Sequence, residues 1–215
     1  LISRHFLMLY KLYQKRIFPH LLNQVMQTPS LMDSRRELLL PIQGDVLEIG
    51  FGTGLNLPFY QGVDTLYALE PNDDIFTLAE QRVLEAPFHV EHIQASAEKL
   101  PFEDESLDNI VSTWTFCSIP DLNVALHEIH RVLKPNGTLH LVEHVLYHDH
   151  ALLKHMQNLL TPIQKVVADG CHLNRDIELS LVNAQFILTE KHYFDAVGIP
   201  KVGQRMLLAR AQKLK

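Results

Sequence analysis

Apolar residues recur along this chain with two different periods. Over residues 1–27, Leu1, Ile2, Phe6, Leu9, Tyr10, Tyr13 and Ile17 return at intervals of three and four, with Arg4, Lys11, Lys15 and Arg16 among them. That spacing predicts an amphipathic helix, which Pro19 interrupts or restarts. A second helical stretch over 34–40 stops before Pro41, and Gly44 then supplies a turn. From Asp45 the pattern changes to short apolar runs with polar or Gly/Pro punctuation. These predict strands over 45–49, 65–70, 89–94 and 107–113, with helices at 55–60, 74–84 and 123–133 between them. The last helix gathers Leu122, Ala125, Leu126, Ile129, Val132 and Leu133 on one face and ends at Pro135-Asn136-Gly137. A strand over 138–145, a helical insertion over 151–167 and closing strands over 186–194 and 205–211 complete the chain.

Strand–helix alternation argues for an α/β fold with a parallel sheet. The connection between the last two strands is too short for a parallel crossover, so they are expected to pair antiparallel. The expected architecture is seven-stranded and mostly parallel, with helices on both faces and a C-terminal antiparallel hairpin. Length suits one compact domain, divided into a helical segment, 1–43, and the sheet-bearing part, 44–215.

Composition narrows the class. With 215 residues, 47% hydrophobic, 20% charged, 9 Gly and 11 Pro, the chain is neither low-complexity nor disordered. Its 2 cysteines, Cys117 and Cys171, sit in no paired motif and read as free thiols of a reducing compartment, so a cytoplasmic location is expected. Because the chain opens on Leu1 rather than Met, an upstream segment is expected to precede it. The formal charge of -6 hides an asymmetry: residues 1–43 carry +4 and the remainder -10. So acidic a body is a poor general nucleic-acid binder. The basic, aromatic N-terminal helix has two readings. One is a lid that closes Phe6, Tyr10 and Tyr13 over a pocket. The other is a peripheral membrane contact through residues 1–20, and the two are compatible. No oligomeric state is specified.

Chemistry concentrates in Asp45-Val-Leu-Glu-Ile-Gly-Phe-Gly-Thr-Gly54, a buried strand running into a Gly-x-Gly-x-Gly turn and a helix. Glycine removes the side chain where the backbone must approach a ligand. Glu70 ends the next strand, where a carboxylate can accept hydrogen bonds from both hydroxyls of a ribose. Both features serve dinucleotide oxidoreductases and S-adenosylmethionine (SAM) enzymes alike. The dinucleotide fingerprint, however, wants a glycine where Leu55 stands, and a kinase-type phosphate loop lacks its Gly-Lys-Ser/Thr ending.

The ordered series VLEIGFGTG, ALEPND, ASAEKLPFEDESLDNIVSTWTF and EIHRVLKPNGTLHLVEH resembles class I SAM-dependent methyltransferases related to ubiquinone and menaquinone C-methylation, over residues 45–145. Through VEHV and DGCHLNR it also resembles a branch that includes membrane-associated thiol S-methyltransferases. The resemblance implies a Rossmann-like fold with SAM as cofactor. It places Gly50, Phe51, Gly52 and Thr53 around the methionine and ribose portions of SAM. Glu48 would orient that loop or reach the methionyl amine through water. Glu70 would take the ribose hydroxyls, with Pro71 and Asn72 bordering the adenine. Ala97 and Glu98 would read its edge, and Thr113, Trp114 and Thr115 would line the methyl-donor end. The sequence departs from the common pattern at Phe51 and Asn136.

Methyl transfer is an in-line displacement from an activated leaving group, so the protein chiefly supplies alignment and exclusion of water. His144, following the fifth strand, is the expected base or acceptor-orienting residue, with Asp169 and then Cys171 behind it. No metal site is expected: HEIH at 127–130 is one residue short of the zinc-protease spacing, and His144, His148, His150 and His155 have no regular ligand spacing. The expected function is methyl transfer from SAM to a small, apolar acceptor: a thiol, a quinone or a lipid-like headgroup. The alternatives are an NAD(P)-dependent Rossmann oxidoreductase and a SAM-binding protein without turnover.

Overall fold

A computed structural model describes the backbone of residues 4–214, without the side chains of residues 4–7, 9 and 11; Leu1, Ile2 and the side chains of Phe6 and Leu9, singled out above, lie outside this description. Seven strands form one sheet in the order β3-β2-β1-β4-β5-β7-β6. They are β1 (Gln43–Ile49), β2 (Gly62–Leu69), β3 (His89–Ile93), β4 (Leu107–Thr113), β5 (Leu133–His144), β6 (Phe186–Asp195) and β7 (Arg205–Lys213). The first five pair in parallel, whereas β7 runs antiparallel to both β5 and β6. This is the expected fold class. Strand order reverses at β1, which pairs with β2 on one side and β4 on the other. Such a switch point leaves a crevice outside the carboxyl ends of the strands.

The central strands are apolar on both faces because both faces are covered. Leu47 and Ile49 of β1 join Ile110, Leu141 and Leu207 in one core layer, under Leu126 and Ile129 of the helix α6 defined below. Val46 points the other way and packs with Val111, Val142 and Leu208 against Leu38 and Leu39. The alternation follows from the period of two along a strand.

Helices α1 (Arg4–Arg16), α2 (Phe18–Val25) and α3 (Pro29–Leu39) replace the long helix and short stretch expected at the N-terminus. Pro19 and Pro29 each stand in the first turn of a helix, where the missing N–H has no partner to lose. The helix expected over 55–60 is only a 3-10 turn, Leu57–Phe59, because Asn56 is drawn into a buried side-chain network instead. The helix expected over 74–84 is broken into α4 (Asp73–Phe76), a 3-10 turn and α5 (Glu80–Glu85). There the Thr77 hydroxyl bonds the Asp73 carbonyl at 2.9 Å in competition with the helix ladder.

Helix α6 (Leu122–Val132) starts at an Asp121 cap and passes without a loop into β5. The strand begins five residues earlier than expected, Pro135 being absorbed where its register shifts against β4. Helix α7 (Ala151–Val167) has the expected bounds. Helix α8 (Ile177–Asn183) was not expected; Asp176 caps it, and Ile177 and Leu181 are fully buried.

Candidate active site

A cavity of about 840 Å³ opens at the carboxyl ends of β1 and β4, large enough for a cofactor and a second small molecule. Of the residues singled out from the sequence, Glu48, Gly50, Phe51, Gly52, Thr53, Glu70, Pro71, Ala97, Thr113, Trp114, Thr115, His144 and Asp169 all line it. Asn72 and Glu98 do not. The Asn72 side chain caps α4 by accepting the Asp74 N–H at 3.0 Å. Glu98 is half-buried and turned toward α6: its carboxylate accepts the Asp121 N–H at 2.8 Å and the Ser96 hydroxyl at 2.9 Å. The positive end of the α6 helix accounts for that choice, and it leaves Ser96 and Ala97 on the cavity side.

The glycine loop is compact because two of its residues are forced to be glycine. Gly50 has φ +69°, and a Cβ there would lie 2.2 Å from the Thr115 hydroxyl oxygen. Gly52 has φ +61°, and a Cβ there would meet nothing nearer than the Gly50 carbonyl at 3.8 Å, an ordinary contact, so its need is conformational alone. Glu70 ties the loop down, accepting the Gly52 N–H at 2.9 Å and the Asn72 N–H at 3.0 Å. Burial raises the Glu70 carboxyl above its ordinary value, and these two N–H bonds hold it back.

Behind the loop lies a buried polar network. Glu48 accepts from Asn56 Nδ2 at 2.9 Å and from the Tyr60 hydroxyl at 2.7 Å. Asn56 in turn accepts from Arg35 Nε at 2.9 Å, and Arg35 Nη1 donates to the Met26 carbonyl at 2.7 Å. Burial pushes the Glu48 carboxyl up to about 7, opposed by the Tyr60 and Asn56 bonds and by Arg35. Burial also lowers Arg35 to about 10, leaving it charged at neutral pH. The Arg35 guanidinium stacks 4.5 Å from the Trp114 ring. Trp114 itself has φ +53°, a left-handed conformation that costs a bulky residue on the order of 1–3 kcal/mol. The strain is held by the Trp114 N–H bond to Val142 at 2.9 Å and by Glu143, whose Oε1 accepts the N–H groups of Thr115 and Phe116, each at 3.0 Å.

Sequence reasoning missed Arg35, Asn56, Tyr60 and Glu143. For Arg35 a signal existed: it falls on the apolar face of α3 with Leu31, Leu38 and Leu39, all buried. A charged residue in that stripe must have a buried partner.

The far wall is made by His144, Cys117 and Cys171. The DGC turn follows α7 with Asp169 at φ +44° and Gly170 at φ +81°. It is sewn to the loop after β4 by the His172 N–H bond to the Cys117 carbonyl at 2.9 Å and by Arg175, which donates to the Phe116 and Ile119 carbonyls. His144 Nε2 sits 3.2 Å from Cys171 Sγ, while its Nδ1 has no partner among the described residues. Both cysteines are free and buried. The two thiols lie within 4.8 Å of each other: their proximity together with burial raises Cys117, while Cys171 is lowered and is the more acidic of the two. Asp169 faces the cavity, and burial raises its carboxyl.

The remaining wall comes from the N-terminal helices and α7. Tyr13, Phe18, Leu21, Leu22 and Val25 face Leu160, Ile163 and Val167 across the mouth. The Tyr13 hydroxyl donates to the Val167 carbonyl at 2.7 Å, and the Thr53 hydroxyl donates to Asn23 Oδ1 at 2.9 Å. Thus α1 touches α7, and α2 touches the glycine loop.

A parallel sheet with a glycine loop at its switch point and a carboxylate ending the adjacent strand defines a nucleoside-binding α/β enzyme. Residues 47–141 match the family described as a methyltransferase domain. The chain is 32% identical over 191 residues to the thiol S-methyltransferase TMT1B of Homo sapiens, covering 80% of this chain and 76% of that one. It is 34% identical over 147 residues to the Rattus norvegicus TMT1B, 66% of this chain and 59% of that relative's length. Geranyl diphosphate methyltransferase in complex with SAM shares the fold with a TM-score of 0.65 at 12% identity, over 85% of this chain and 84% of that one. The chain belongs to the class I SAM-dependent methyltransferases, and SAM is its cofactor.

Proposed function

We propose that this methyltransferase acts on an apolar thiol, and that the donor lies along the β1–β4 edge with its ribose on Glu70. SAM supplies a methyl group on a cationic sulfur. The observation that carries the donor placement is the charge of the wall: Glu48, Glu70 and Asp169 line it, and among the described residues Arg35, already engaged, is its one Lys or Arg. Such a wall favours a cationic sulfonium and ammonium and opposes the pyrophosphate of NAD(P). Gly50, Phe51, Gly52 and Thr53 hold the methionine and ribose portions, Pro71 and Ala97 border the adenine, and Thr113, Trp114 and Thr115 stand at the methyl end.

The acceptor enters from the opposite side. Leu21, Val25, Ile163 and Val167 both line the cavity and remain about half exposed, giving its mouth an apolar rim. Helices α1 and α2 act as the lid, and with Met8, Leu12, Ile17 and Leu159 they offer an apolar surface for peripheral contact with lipid. No described helix is long and apolar enough to cross a membrane. The thiol reading is supported by the apolar rim of the mouth and by the printed activity of the TMT1 relatives. A thiol needs only to lose its proton, whereas a carbon acceptor needs a dedicated base. His144 is turned to Cys171, its Nε2 lying 3.2 Å from the sulfur, while Asp169 contributes to the charge of the donor wall.

Incubation with methyl-labelled SAM and, separately, an alkyl thiol, a reduced quinone and a phosphatidylethanolamine vesicle tests this reading. Label is expected in the thioether alone. Label in the quinone or the lipid, with none in the thioether, would overturn it.

A further inference from the structure

Cys117, His144 and Cys171 come from three separate elements and converge on one point. Each offers a ligand atom within 4.8 Å of the other two, and all three side chains are buried. They line the cavity, so one side of the group faces the space where the acceptor enters. Their positions are fixed from the backbone. Cys117 is held through its carbonyl by the His172 N–H at 2.9 Å and His172 Nδ1 at 3.1 Å. His144 ends β5 paired with Met206 of β7. The Cys171 N–H is bonded to Ala168 at 3.0 Å, and Gln164 Nε2 donates to its sulfur at 3.8 Å. Ser118 Oγ lies 3.6 Å from Cys117 Sγ, where it can donate to a thiolate.

From this convergence we propose that Cys117, His144 and Cys171 bind a thiophilic divalent ion such as Zn²⁺, with the open fourth position facing the acceptor cavity. Two sulfurs and one imidazole are a ligand set that zinc takes in catalytic sites, where three protein ligands leave one place for water or substrate. Soft sulfur ligands exclude Mg²⁺ and Ca²⁺. Sequence spacing could not show the site, since the three ligands are 27 residues or more apart in the chain and meet only in the fold.

The ion deepens the thiol reading, on which its role in turnover rests. Both cysteines lose their protons to water when it binds. The acceptor sulfur then fills the fourth position and its S–H proton passes to bulk water, because a coordinated thiol is deprotonated outright. A lone pair of that sulfur forms the new S–C bond to the methyl. The methyl–sulfonium bond breaks, its electron pair stays on the sulfur of S-adenosylhomocysteine, and the neutral thioether leaves the ion. No oxidant or reductant is needed.

Cobalt substitution tests the site without turnover. The whole chain, reduced with a phosphine and titrated with Co²⁺, is expected to show sulfur-to-cobalt charge-transfer and tetrahedral visible bands that saturate at one equivalent and are displaced by Zn²⁺. An alkyl thiol added without SAM shifts the charge-transfer band. Cys117→Ser and Cys171→Ser each weaken the metal by at least about tenfold, while S-adenosylhomocysteine titration by calorimetry, unchanged within about threefold, shows that the variants fold. Absence of the bands, or bands that persist in both folded variants, would overturn the site. Thiol methylation at full rate by chelated, metal-free protein would overturn the ion's role and leave the thiol reading intact. A thiol-responsive cobalt site with no methyl transfer to any thiol would overturn the thiol reading and leave the metal site standing.

Discussion

The Glu70 carboxylate accepts the Gly52 N–H at 2.9 Å, so the side chain that shapes the glycine loop is the one to which the proposed donor placement assigns the ribose. Glu70→Ala is therefore expected to remove both effects. Hydrogen bonds to a charged group contribute about 1.5–3 kcal/mol, and S-adenosylhomocysteine affinity should fall by at least about tenfold. Calorimetric titration checks it; unchanged affinity would refute the ribose placement.

Gly50→Ala introduces a Cβ within 2.2–2.8 Å of three Thr115 side-chain atoms, at φ +69°. Strain at such a position is worth about 1–3 kcal/mol before the clash is counted. A loss of at least about 2 kcal/mol in urea denaturation is expected, with SAM binding abolished. Adding Thr115→Gly should recover part of the stability by removing the clash, leaving the backbone strain.

Arg35 bridges α3, the Met26 carbonyl and, through Asn56, the Glu48 carboxylate. Arg35→Met leaves Glu48 without its buried counter-charge and should cost about 3–5 kcal/mol. Glu48→Gln in the same chain should restore part of that loss, a coupling that a double-mutant cycle measures. Strict additivity would show that the network is not electrostatically coupled.

Burial holds the folded Glu48 carboxyl at about 7, above its ordinary 4.5. The native state then binds this proton more tightly than the unfolded chain, so the contribution of Glu48 to stability is greatest below about pH 4.5 and is lost as pH rises through about 7. Relative to Glu48→Gln, the wild type should lose on the order of 3 kcal/mol across that window, at about 1.4 kcal/mol per pKa unit. Urea curves at pH values spanning the window check this; parallel pH profiles for the two proteins would contradict it.

Leu21 and Ile163 face the cavity from α2 and α7 and are partly open to solvent. Leu21→Asp combined with Ile163→Asp should reduce kcat/KM for an alkyl thiol by at least about tenfold, the value of one buried aliphatic side chain, and weaken association with lipid vesicles. S-adenosylhomocysteine affinity should remain within about threefold. An equal loss for donor and acceptor would show that these helices support the donor site instead.

The sequence by itself determined the sheet. The strand periods, the glycine turn after Ile49 and the short C-terminal connection are local or nearest-neighbour properties, and all seven strands overlap the runs these signals mark, β5 starting five residues early. Helix breaks were less legible. Asn56 is drawn into a network with distant residues and Pro135 into strand register, while at Thr77 the hydroxyl competes with the helix ladder through its own preceding turn.

Only the tertiary structure decided which polar residues meet. Arg35 reaches Glu48 through Asn56, Glu98 turns to the α6 cap rather than the cavity, and His144 finds two cysteines rather than the other histidines. Each outcome depends on the direction of a side chain from an element placed by packing across the whole sheet. Periodicity can say which residues are buried; the converging ends of β4, β5 and α7 determine what they are buried against.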